Sequence, residues 1–187
     1  MIASLVFLVI PAMAREKHPP LRTVPHVDLA RYMGDWRVIA EIPYFAEKNC
    51  VDSIESYALR PDGTMDNWFT ARKKSFDAPA KKIASARAVV VDHATNAEWR
   101  VKFAGGLVST KYFIIDLDAD YQWAVVGHPS RKLGWIFARK KTLPAATYAA
   151  ILERLEKQGY DTTRFLPVPQ FPAQLKQPNA ATGPFPK

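Results

Sequence analysis

The sequence predicts an all-β domain, an up-and-down barrel or a sandwich, carrying one α-helix after its strands. Three observations carry that reading. Short runs of alternating or continuous apolar residues recur at even spacing, with turn residues between them. One segment near the C-terminus has the 3.6-residue period of a helix. The 187 residues are 48% hydrophobic, enough to bury a real core without staples. The lone cysteine, Cys50, excludes an intramolecular disulfide and a Cys-rich zinc module. A charged fraction of 24% excludes a polytopic membrane protein.

The first strand is Trp36 to Ile42, entered through Gly34-Asp35 and ended by Pro43. The second, Asp52 to Leu59, closes on Arg60-Pro61-Asp62-Gly63, a strong hairpin signal. Met65 to Arg72, Ile83 to Val91, Glu98 to Phe103, Thr110 to Leu117, Tyr121 to Val126 and Gly134 to Arg139 complete eight. In the helix, Tyr148, Ile151, Leu152 and Leu155 form one apolar stripe between Pro144 and Gly159. Such a stripe, following eight strands, must lie on the outside of the sheet. A strand-like Thr162 to Val168 follows it.

The ends read differently. Residues 1–14 combine an apolar run with Ala12-x-Ala14, the pattern of a secretory signal, although no Lys or Arg precedes the run. Residues 15–23 form an extended, proline-containing lead-in, 24–169 the folded domain, and 170–187 a proline-rich tail expected to be disordered.

Asp28-Leu29-x-Arg31-Tyr32-Met33-Gly34-Asp35-Trp36, followed by Ile39-Ala40-x-Ile42-Pro43, resembles the Gly-x-Trp signature of lipocalins, in their bacterial and apolipoprotein D-like branch. Leu117-Asp118-Ala119-Asp120-Tyr121 resembles the second motif of that family, and Trp135-Ile136-Phe137-Ala138-Arg139 the third. The resemblance implies an eight-stranded antiparallel up-and-down barrel with the C-terminal helix packed outside. It assigns Gly34, Trp36, Asp118, Tyr121 and Arg139 to structure, with Arg139 lying over the Trp36 ring at the closed end. It also implies a fatty acid or lysophospholipid as ligand. Lipid-anchored bacterial members carry a cysteine directly after the signal; here Arg15 follows Ala14, so an exported chain without a lipid anchor is expected, periplasmic or extracellular.

Within a barrel, charged positions mark the outward face and their neighbours the cavity. This alternation, with the motifs, nominates Ala40, Ala88, Val90, Trp99, Val101, Phe103, Tyr112, Ile114, Tyr121, Trp123, Trp135 and Phe137 as ligand-binding. Val125 falls on the same inward side, Asp116 is expected near the rim, and strands two and three are ambiguous. Broad aromatics beside small alanines leave volume for a guest. The net charge is +8, and the basic residues gather in loops at one end. Lys73, Lys74, Lys81 and Lys82 ring the expected mouth, which suits an acyl chain ending in phosphate or carboxylate and a peripheral contact with an anionic membrane surface.

The rival classes are weaker. Nucleic-acid binding needs bases and aromatics interleaved on one outer face, and here the aromatics point inward. His18, His26, His93 and His128 are scattered, so no catalytic set, metal site or cofactor is expected; a nucleophilic Cys50 is the residual enzyme reading. A pigment, tetrapyrrole or sterol is the alternative ligand, and the oligomeric state is monomer or homodimer.

Overall fold

The computed structural model describes residues 18–176. Its eight main strands are β1 (Gly34–Glu41), β2 (Cys50–Leu59), β3 (Met65–Lys73), β4 (Lys81–Val90), β5 (Glu98–Phe103), β6 (Val108–Leu117), β7 (Trp123–Gly127) and β8 (Gly134–Ala138). Each pairs antiparallel with the next, and β1 pairs with both β2 and β8, so the barrel is closed. A two-residue strand, β9 (Leu166–Pro167), joins β1 at Ala40 and Glu41, beyond the part that pairs with β2. A single-turn helix, α1 (Leu29–Tyr32), precedes the barrel, capped by Asp28, whose side chain accepts from the Arg31 amide. Helix α2 (Ala145–Lys157) follows it.

Two apolar layers result. Inside lie Tyr32, Trp36, Tyr57, Met65, Trp99 and Ile114 with their neighbours. Outside, Ile151 and Leu155 of α2 cover Ile39, Val125, Ile136 and Ala138. Strands β1, β7 and β8 are therefore apolar on both faces, and polar–apolar alternation cannot orient them. Three expected inward residues are corrected on this ground. A bulge between Val38 and Ala40 turns Ala40 into the outer layer. Tyr121, at a φ of +59°, joins the inner core before β7 begins, so β7 enters with the opposite parity. Trp123 and Val125 consequently face outward, with the Arg154 guanidinium 5.2 Å from the Trp123 ring. A second bulge, between Ile114 and Asp116, carries Asp116 off the expected rim to Arg154, 2.5 Å away.

The last turn locks the outer layer onto the β7–β8 hairpin. The Tyr160 hydroxyl donates to the Leu133 carbonyl (3.1 Å) and accepts from the His128 amide (2.9 Å). This contact requires glycine beneath it: a Cβ at Gly127 would meet the Tyr160 hydroxyl oxygen at 2.5 Å. The expectation of a disordered tail from residue 170 is also corrected. Gln170 is buried, its amide donates to the Val38 carbonyl at 2.7 Å, and Pro172–Lys176 form a 3₁₀ turn. The secretory-signal segment and residues 177–187 lie outside the described residues.

Candidate functional site

The closed end is plugged by aromatic rings. Trp36 donates its indole N–H to the Tyr32 carbonyl (2.8 Å), and Tyr32 packs edge-on to Trp99 at 5.2 Å. The Arg139 guanidinium lies 3.7 Å over the Trp36 ring and donates to the carbonyls of Arg31 (2.8 Å), Met33 (2.9 Å) and Asp35 (2.9 Å). Gly34, at a φ of +91°, turns the chain beneath that guanidinium. Asp118 accepts from the amides of Asp120 and Gln122, shaping the turn that delivers the Tyr121 hydroxyl to the Asp28 amide at 2.8 Å. All five motif residues sit at this end, below the cavity.

Above the plug a cavity of about 500 Å³ opens towards the β1–β2, β3–β4, β5–β6 and β7–β8 loops. Tyr112 is its floor: it stacks on Trp99 below at 5.3 Å and lies 6.4 Å from Trp135 on the wall. Phe69, Ala84, Ala86, Val101, Phe103 and Phe137 make most of the rest apolar.

One wall is polar. Glu55 alternates inward with Tyr57 on β2, opposite Trp36 and Phe69, and accepts a hydrogen bond from the Asn67 amide of β3. Glu47 is tucked into the mouth by a tight turn, in which its amide donates to the Tyr44 carbonyl and its carbonyl accepts from the Cys50 amide. Its Oε2 accepts from the Trp135 indole at 3.0 Å. The β1 bulge turns Glu41 inward beside Glu47, and the two carboxyls share a hydrogen bond. Burial, reinforced by Glu47, pushes Glu41 far above the ordinary carboxylate range. Burial pushes Glu55 up to about 8, with the Asn67 hydrogen bond opposing it and Glu47 adding to it.

Of the nominated residues, Val101, Phe103, Tyr112, Trp135 and Phe137 stand on the cavity wall. Ala88, Val90, Trp99, Ile114 and Tyr121 belong to the inner core without lining the cavity, and Ala40 and Trp123 face away from it. Lys73 ends β3, Lys74 follows it, and Lys81 and Lys82 begin β4; none of the four lines the cavity either. Lys73 donates to the carbonyls of Ala46 and Lys48 at 3.1 Å each, bracing the first loop. The charged side chains that do line it, Glu47 and Glu55, are acids. Sequence reasoning missed Glu41, Glu47, Glu55 and Asn67. For Glu55 a signal existed: it shares parity with Tyr57, whereas the bulge that moves Glu41 leaves none.

Cys50 is 8% exposed, and burial raises its thiol despite the nearby Lys73 ammonium, so it lacks the activation of a nucleophile. Among the described residues no His, Cys, Asp or Glu cluster is arranged to hold a metal ion.

The chain matches the lipocalin-like domain family over residues 27–170. Temperature-induced lipocalin-1 of Arabidopsis thaliana is 30% identical over 161 residues, covering 80% of this chain and 83% of the relative. The outer membrane lipoprotein Blc of Escherichia coli K12 is 26% identical over 168 residues, covering 90% of this chain and 93% of the relative. The solved structure of insecticyanin from the tobacco hornworm Manduca sexta superposes with a TM-score of 0.63 at 19% identity, covering 83% and 87% of the two chains. With a closed eight-stranded barrel, a plugged end and a hollow one, and a family match spanning the whole barrel, the chain belongs to the lipocalin family.

Proposed function

We propose that this lipocalin is a non-enzymatic carrier of a single-chain amphiphile, a fatty acid or a lysophospholipid, in the cell envelope. The cavity carries the reading: about 500 Å³, walled by aromatic and aliphatic side chains and open at one end. About ten buried methylenes supply roughly 8 kcal/mol of hydrophobic transfer. That gross figure matches a roughly micromolar complex before association entropy opposes it. The rim supports loading at a membrane. Phe45, in the β1–β2 connection, and Leu107, between β5 and β6, are each 90% exposed, and Lys74, Lys81 and Lys82 stand where β3 turns into β4 at the same end, which suits peripheral contact with an anionic lipid surface. The kinship with a protein named as an outer membrane lipoprotein supports an exported location.

The test is displacement of a fluorescent alkyl probe from the cavity by palmitate and by lysophosphatidylcholine. Ala86→Phe, which fills the cavity from β4, should lower probe affinity at least tenfold while leaving the melting temperature near that of the parent. Failure of both lipids to displace the probe, or full probe binding by a folded Ala86→Phe, would sink the assignment.

A further inference from the structure

We infer that the ligand of this cavity carries a positively charged nitrogen, seated against the Glu55 carboxyl halfway down the β2 wall. The inference rests on the carrier reading above and narrows it: of the two lipid classes proposed there, a lysophospholipid with a cationic head fits and a fatty acid, which has no nitrogen, does not. Glu55 Oε1 is taken by Asn67, and among the described residues no donor reaches Oε2. Glu47 differs: the Trp135 indole takes its Oε2, and Glu41 shares its remaining bonding. Glu55 is thus the lining carboxyl with an oxygen left for a guest.

The surroundings fit a cation. Around Glu55 stand Glu47 from the first loop, Glu41 from β1, Asn67 from β3, and the phenols of Tyr32, Tyr57 and Tyr112 from α1, β2 and β6. All are acids or neutral groups, and no Lys, Arg or His lines the cavity to balance them. A buried carboxyl without a cation is costly, and a cavity meant for hydrocarbon alone would have an apolar side chain there. The rings of Phe69, Tyr112 and Trp135 line the same space, and aromatic rings attract ammonium groups. An anionic head placed here would instead meet two acids.

The nitrogen could arrive on the head of an alkyl amphiphile or on a small aromatic cation, and both are tested. Binding is measured by calorimetry at pH 7 and pH 9 for dodecyltrimethylammonium against dodecanol, and for phenyltrimethylammonium against tert-butylbenzene. Neither cation titrates, so a pH response belongs to the protein. With its midpoint at about 8, Glu55 is about one-tenth ionised at pH 7 and nine-tenths at pH 9. Affinity for at least one cation should rise about tenfold over that range, while its neutral partner stays level. The pair that responds identifies the source. Glu55→Gln, which keeps an acceptor for Asn67, should flatten the cation's profile and remove its advantage. Asn67→Leu, which strips the bond favouring the carboxylate, should move the rise to higher pH. Cations bound no better than neutral partners at pH 9, or a parent profile that is flat, would overturn the inference. Loss of every probe, neutral ones included, would overturn the carrier reading and this inference together.

Discussion

Arg139→Lys separates two roles that one side chain performs at the closed end. The lysine keeps a cation near the Trp36 face but loses the planar fork. In the parent that fork reaches the carbonyls of Arg31, Met33 and Asp35 at 2.8–2.9 Å, and that of Tyr32 at 3.2 Å. Hydrogen bonds from a charged donor contribute about 1.5–3 kcal/mol each, less when several share one nitrogen. A lysine ammonium can keep one or two of them. The expected loss is about 2–3 kcal/mol for lysine. For Arg139→Ala it is about 4 kcal/mol, because the cation over the ring, worth about 0.5–2 kcal/mol, goes as well. In a domain of this size 1 kcal/mol corresponds to about 2–4 °C. The lysine variant should therefore melt about 4–12 °C below the parent, with an unchanged urea m-value. Ligand affinity should hold, since Arg139 lies below the cavity. A lysine variant as stable as the parent would show that the fork adds nothing and that the charge over Trp36 suffices.

Two further outcomes follow from buried titratable groups. Cys50 should react with a water-soluble thiol reagent orders of magnitude more slowly in the folded chain than in urea, because burial raises its thiol; equal rates would mean the β1–β2 loop leaves it open. Glu55 holds its proton to about 8 when folded, against about 4.3 when unfolded, so the folded state binds that proton more tightly. Its contribution is therefore full below about pH 4, declines as pH rises towards 8, and is level beyond. Each unit is worth about 1.4 kcal/mol at most, less where water enters the open cavity. Urea midpoints should fall between pH 5 and pH 8.5 in the parent and fall less in Glu55→Gln.

How much of this was legible depended on whether a strand has one apolar face or two. On β4 and β5, the outward Arg87, Arg100 and Lys102 fixed the parity, and Val101 and Phe103 do line the cavity. On β1 and β7, α2 covers the outward face with Ile151 and Leu155, so both faces are apolar and the period of two carries no polarity. Bulges did the rest. Those at Val38–Ala40 and Ile114–Asp116 reverse which residue points in, and nothing local in either strand marks them. The acidic wall was hidden for a related reason. Glu41 and Glu47 look like surface residues until the bulge and the tight first turn bring them together.

The two halves of the barrel divide the tasks of folding and binding. At the closed end, Trp36, Trp99, Tyr32 and Tyr57 are almost wholly buried, and every described motif residue braces them. Outside, α2 adds a second apolar layer over β1, β7 and β8. These two contributions do not involve the mouth half of the interior, so that half can stay hollow. A hollow half is also where ionisable groups are least costly, because the open end admits water and the neighbouring rings do not have to close around them. Carboxyls at Glu41, Glu47 and Glu55 would be strongly unfavourable one layer lower, among the rings of the plug. In the hollow half they cost less, and a guest of complementary charge would recover what remains of that cost. Ligand and proton therefore compete for one carboxyl in the part of the barrel on which the fold depends least.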